Sequence, residues 1–174
     1  MDSFTVPTVN FGLFLVLVVS HHERRCVVQF AVTDRPEASW IIQQLREAFP
    51  FKTAPRYAIL DRDGKYGYSV PEALRSLGVK PVRPAPWAPW QNPYVERFGG
   101  TLRRELLDKM IVFNPTQLHR AITQFVSCYH EDRCHLGLEK DTPEFRVVTP
   151  EPLASARHHR PVANRRSAYC QASF

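Results

Sequence analysis

The sequence predicts a mixed α/β domain that starts with antiparallel strands and adds parallel ones later. Three observations predict it. Along the chain the order is strands, helix, strand, helix, strand, helix, helix. The run Phe11–Val19 is continuous, β-branched and aromatic, which is the composition of a strand buried on both faces. Capping residues followed by proline (Asp34 with Pro36, Asn92-Pro93, Asn114-Pro115) introduce stretches whose apolar residues recur at helical spacing. With 174 residues, 44% of them hydrophobic, the chain can build one core and is not disordered by composition.

Residues 2–32 are expected to be strands. Phe11–Val19 and Cys26–Val32 form a hairpin across the polar turn His21-His22-Glu23-Arg24-Arg25. Asp34 should cap the first helix with Pro36 in its first turn, and Ala38, Ile41, Ile42, Leu45 and Phe49 give its apolar face. Pro50 and Pro55 end it. Tyr57–Leu60 is a short strand that runs into Asp61, and Asp63-Gly64 makes a turn. A short helix over 71–77 and a strand over Val79–Val82 follow. Pro81, Pro84, Pro86 and Pro89 mark an extended loop that holds Trp87 and Trp90, expected to pack on the core. Asn92-Pro93 starts a helix with the stripe Val95, Phe98, Leu102 and Leu106. Asn114-Pro115 starts another, with Leu118, Ala121, Ile122, Phe125 and Tyr129 facing inward. The expected division is a core over 1–139 and a loosely ordered, basic, Pro/Arg-rich tail over 140–174.

The net charge is +6, of which residues 151–174 supply +3, so an anionic partner is favoured while the body is only mildly basic. Cys26, Cys128, Cys134 and Cys170 include no CxxC pair, and reduced thiols in a cytoplasmic protein are expected. The nine residues of Phe11–Val19 are too few to span a bilayer, so no membrane partner is expected. Cys128, His130, Cys134 and His135 lack the paired spacing of a structural zinc site. His21-His22 and His158-His159 fall in a turn and in the tail, where solvation is expected.

Three carboxylates carry the chemistry. Glu96 stands in the first turn of an amphipathic helix, and Asp2 and Asp61 stand within or just past strand-like runs. Strand ends and a helix start are rigid mounts. Clustered carboxylates hold the hard cations that phosphodiester chemistry uses. Glu96 and Arg103 are seven residues apart and nearly eclipse on a helix, with Gly100 between them. A phosphate near the carboxylates is then within reach of Arg103, and Arg104 of the neighbouring backbone. Each residue alone has a plainer reading. A first-turn Glu suits the helix dipole, and an Asp before Arg-Asp-Gly suits a turn.

The stretch Gln91-Asn92-Pro93-Tyr94-Val95-Glu96-Arg97-Phe98-Gly99-Gly100-Thr101-Leu102-Arg103-Arg104-Glu105 resembles the final acidic motif of the integrase and DDE-transposase catalytic core, the family of retroviral integrases and bacterial insertion-sequence transposases. Downstream, Tyr129-His130-Glu131-Asp132-Arg133-Cys134-His135-Leu136-Gly137-Leu138 is similar to the Tyr-Asn-x-x-Arg-x-His-x-x-Leu signature of those transposases. The resemblance implies an RNase H-like mixed sheet flanked by helices and metal-dependent strand cleavage and transfer at DNA ends. It carries the family's three catalytic, metal-binding carboxylates over to Asp2, Asp61 and Glu96, with Mg²⁺ or Mn²⁺ as cofactor. Between Asp61 and Glu96 lie 34 residues, against 32 from Asp63, so Asp61 is preferred and Asp63 is the reserve. Arg97, Arg103 and Arg104 are the expected DNA contacts.

The partners so implied are DNA, further copies of the chain, or a full-length transposase, with nucleoid association in a bacterial host. In that family the first strand begins several residues before its carboxylate. A shortened first strand is therefore expected here, without the upstream domain that reads the ends of the mobile element. The alternative is a catalytically dead remnant that only binds DNA or a transposase. A nuclease that cleaves without joining is a third reading.

Overall fold

The computed structural model describes residues 1–50, 54–61, 63–86, 91–135, 138 and 141–144. The expectations for Trp87, Trp90, Cys170, His158-His159 and the tail beyond 144 lie outside the described residues. Five strands and four helices are described: β1 (Asp2–Pro7), β2 (Leu13–Ser20), β3 (Val27–Thr33), α1 (Ala38–Ala48), β4 (Tyr57–Ile59), α2 (Ser69–Ser76), β5 (Lys80–Val82), α3 (Pro93–Glu105) and α4 (Pro115–Glu131).

The antiparallel start is an ordered meander. Asp2 pairs with Val18 and Pro7 with Leu13, and β2 in turn pairs with β3 from Leu15 opposite Thr33, with an irregularity at Val19/Ser20. β4 and β5 pair in parallel, Tyr57 opposite Lys80 and Ile59 opposite Val82. A hydrogen bond of 2.8 Å, from the Met1 amine to the Ile59 carbonyl, links the start of β1 to β4.

β2 explains why its sequence is apolar without alternation. Val16 and Val18 face one core with Phe98, Leu102, Leu118 and Ile122. Leu17 and Val19 face another with Ile41, Leu45, Leu60 and Leu74. Helices α3 and α4 thus cover one side of the strands and α1 and α2 the other, so both faces of β2 are removed from water. In the first core the Phe98 ring meets the rings of Phe125 and Tyr129 edge-on, at centroid distances of 6.1 and 5.0 Å.

Helix α2 runs Ser69–Ser76 against the expected 71–77, and two further helix starts differ in detail from expectation. Helix α1 begins at Ala38, with Glu37 in the cap position, rather than at Asp34. The Thr33 hydroxyl accepts the Arg35 amide at 3.0 Å and holds a local turn, and Pro36 disfavours helical backbone at Arg35. Helix α3 begins at Pro93 as expected, but the Asn92 side chain does not cap it. Asn114 does cap α4, its Oδ1 accepting from the Gln117 amide at 2.8 Å.

Beyond α4, Arg24 of the β2–β3 turn donates to the carbonyls of Thr142 and Pro143 and pairs with Asp141 at 3.1 Å. His130 Nε2 accepts the Val27 amide at 2.9 Å while its Nδ1 stands 3.2 Å from Glu144. Residues 141–144 therefore lie against β3 and α4. Among the described residues no helix is long and apolar enough to cross a membrane.

Candidate active site

Met1 joins the three elements that carry the candidate carboxylates. Its amine donates to Ile59 at the end of β4, and its carbonyl accepts from Asn92 Nδ2 at 3.3 Å, at the entrance to α3. Asp2 follows it as the first residue of β1. Asp61 follows the fully buried Leu60, whose amide donates to Val82 of β5. Glu96 lies in the first turn of α3, its amide reaching back to the Asn92 carbonyl. The Asn92 amide that does not cap α3 thus ties the helix start to Met1, the residue before β1.

The charge of Asp61 acts on Asp2, and the charges of both act on Glu96. Burial raises the Asp2 carboxyl above its ordinary value, and the Asp61 charge adds to the rise, against the Ser3 amide that donates to Asp2 at 2.7 Å. Glu96 is raised too, by burial first and then by Asp2 and Asp61. Burial pulls the Met1 amine down to about 6 in spite of Asp2 and Asp61. Asp2, Asp61 and Glu96 lie in one shared negative field.

Asp63 behaves differently. It accepts from the Lys65 amide at 3.1 Å and pairs with Lys65 Nζ at 2.7 Å, which together hold its carboxyl below the ordinary value although burial opposes this. It starts the short 3₁₀ turn Gly64–Tyr66. Lys65 also donates to Ser3 Oγ at 2.8 Å, and its charge favours the ionised form of Asp2. Lys65, Ser3 and the Asn92 side chain are not among the residues that the sequence marks as functional. The turn Asp63-Gly64-Lys65 is the available signal for the lysine; Ser3 is marked only by standing next to Asp2 in β1, and the Asn92 side chain has no signal, since only the fold brings it to Met1.

The three candidate arginines do not share one direction. Arg103 reaches toward β1 and donates to the Thr5 carbonyl at 3.4 Å. Arg104 folds back along its own helix, its guanidinium 3.2 Å from where a side chain on Gly100 would begin. Arg97 acts on the far side, where its charge reaches Tyr129 and His135. Gly100 therefore leaves room for Arg104 rather than open backbone under Arg103.

A cleft of about 440 Å³ opens beside Met1, between the end of β2, the end of α1 and β4, and Asn92 also lines it. None of the three carboxylates lines it. Among the described residues, no three His, Cys, Asp or Glu side chains converge tightly enough to hold an ion as they stand. His130 already accepts from the Val27 amide, and His135 is buried with Nε2 unpartnered. For Asp2, Asp61 and Glu96 the donor chemistry suits a hard divalent cation, since all three offer anionic oxygen.

Known proteins resemble this chain in sequence and in fold. Residues 77–143 match the family model described as integrase core domain, a span that includes Glu96 and both motifs. The transposase InsK assigned to insertion sequence element IS150 of Escherichia coli strain K12 is 26% identical over 130 residues, 72% of this chain and 46% of that protein. The chain thus spans about half the length of that curated relative. Among solved structures, a chain of the simian T-cell lymphotropic virus intasome in complex with the PP2A regulatory subunit B56 gamma superposes with a TM-score of 0.63 at 17% identity, covering 92% of this chain and 57% of that one. The catalytic core domain of BIV integrase gives 0.56 at 15% identity, with coverage of 81% and 88%. These structures share the RNase H-like fold expected from the sequence.

Proposed function

We propose that this chain, which belongs to the integrase and DDE-transposase family, is the domain that cleaves and joins DNA strands with a divalent metal. The observation that carries the proposal is the shared field of Asp2, Asp61 and Glu96, mounted on β1, the end of β4 and the start of α3 and drawn together at Met1. Asp61 is preferred over Asp63 as the second carboxylate because its charge, and not that of Asp63, acts on both Asp2 and Glu96.

In this reading the three carboxylates hold Mg²⁺, or Mn²⁺ in its place. The metal, when bound, supplies Lewis-acid stabilisation and an activated oxygen nucleophile for in-line attack on a phosphodiester. The chain's own residues do the rest. Ser3 orients Asp2 through its amide, Asn92 and Met1 fix the start of α3, and Lys65 balances charge beside Asp2. Arg97, Arg103 and Arg104 contact DNA backbone on either side of Glu96, so affinity falls steeply with salt. Work on DNA ends calls for several copies, or for a full-length transposase as partner. Cytoplasmic, nucleoid-associated action fits such a role in a bacterium.

One observation favours a second reading. The carboxylates stand in one field without closing into a ligand cluster. A binding module without chemistry, acting on DNA or on a transposase, keeps such a site open. The test is Mn²⁺-dependent nicking and joining of a branched DNA by the wild-type chain and by Glu96→Gln. Activity in the first and its absence in the second supports the enzyme; inactivity of both, with both folded, supports the binding module. Cleavage without joining would assign a nuclease.

A further inference from the structure

Tyr94, in the first turn of α3, is gripped by the β2–β3 turn. The His22 ring meets it edge-on with centroids 4.6 Å apart, and the Arg25 guanidinium carbon stands 4.7 Å from the Tyr94 centroid. Arg25 adopts a φ of 59°, a left-handed conformation uncommon for arginine, so the turn holds this side chain at some backbone cost. Arg97 lies three residues beyond Tyr94, on the same side of α3. From the end of α4, Arg133 reaches over Tyr129 at 5.8 Å and pairs with both carboxylate oxygens of Glu105 at 2.8 and 2.9 Å.

These cations converge. After burial, the charges of Arg25, Arg133 and Arg97 together lower the pKa of the buried His135. The same three oppose the burial that raises Tyr129. Glu105 neutralises Arg133. Among the described residues, no carboxylate lies within 4 Å of the Arg25 or Arg97 guanidinium. Two guanidiniums are thus left in excess where the β2–β3 turn, α3 and the end of α4 meet, away from the β1 side that Arg103 occupies. A guanidinium fixed on a ring is suited to phosphate oxygens, because its donor fork is already oriented.

We infer that the β2–β3 turn is a second nucleic-acid contact: Arg25, braced on Tyr94, and Arg97 hold backbone phosphates of a DNA strand passing Glu96 on the side opposite Arg103. This rests on the DNA reading above and extends it to a turn that the acidic motif does not include. The turn grips phosphate, so it sets affinity and register rather than sequence preference.

The test is fluorescence anisotropy of a labelled branched duplex, titrated from about 50 to 200 mM salt with the wild-type chain, Arg25→Asn, Arg25→Lys and Arg103→Gln. Asparagine tolerates positive φ, so Arg25→Asn removes the charge without threatening the turn. The expected result is a salt slope lower by about 0.9 for each phosphate that Arg25→Asn no longer neutralises, with Arg25→Lys near wild type. An unchanged slope in Arg25→Asn, while Arg103→Gln is flatter, would overturn this inference and leave the DNA reading standing. A wild-type chain that binds with no salt slope would overturn both.

Discussion

A carboxylate whose pKa is raised on folding works against the fold when ionised. Asp2 is raised above its ordinary 3.8 by burial and by Asp61. Between 3.8 and its folded value the native state holds more protons than the unfolded one, so stability falls as pH rises through that window. Above the window the penalty is fully present. Asp2→Asn, which keeps an oxygen for the Ser3 amide, should therefore melt higher than wild type at pH 7 without metal, and the gap should close below pH 3.8. Adding Mn²⁺ should raise the wild-type melting temperature and leave Asp2→Asn nearly unmoved, read by thermal denaturation. The placement of these acids was legible where the pattern is local: Asp61 just past a strand, Glu96 in a first helical turn. The preference for Asp61 over Asp63 rested on spacing and on its place directly after the apolar strand, because the grip of Lys65 on Asp63 exists only once the turn is folded.

At the scale of elements, α3 and α4 were legible because Asn-Pro pairs and apolar stripes act within a few residues. Helix α1 began later than expected because the Thr33 turn and Pro36 compete with Asp34 as the start. The same local physics sets the response of two helix positions to substitution. Gly99 faces Phe4 of β1, and an added Cβ would sit 3.6 Å from that ring, an ordinary van der Waals distance. Gly99→Ala should stabilise the chain by roughly 0.5–1 kcal/mol in urea unfolding, since glycine is costly inside a helix. Asn114→Ala removes the side chain that accepts the Gln117 amide and should cost about 1 kcal/mol in the same measurement. Where the arginines of α3 point was not legible. Seven-residue spacing placed Glu96 and Arg103 on one face, but β1 draws Arg103 aside and Gly100 admits Arg104.

Across the whole molecule, β2 is the divider between two cores, and disruption of either should unfold both. Phe98 is 2% exposed and packs with Phe125 and Tyr129, so Phe98→Ala should cost about 3–5 kcal/mol. A smaller cost in chemical denaturation would mean that the α3–α4 layer packs loosely. The apolar continuity of β2 made the layered arrangement legible, because a strand without alternation must be covered twice. What the sequence could not display is long-range: the Arg24 hydrogen bonds to residues 142 and 143, and Met1 as the meeting point of β1, β4 and α3. Those links join residues roughly 60 to 120 positions apart, and no local pattern encodes them.

The most direct test of cation binding by Asp2, Asp61 and Glu96 together is Mn²⁺ binding measured by electron paramagnetic resonance on folded wild type, Asp61→Asn and Asp63→Asn. Wild type and Asp63→Asn should bind alike, and Asp61→Asn should no longer bind. Retained binding in Asp61→Asn, or its absence in Asp63→Asn alone, would contradict the assignment.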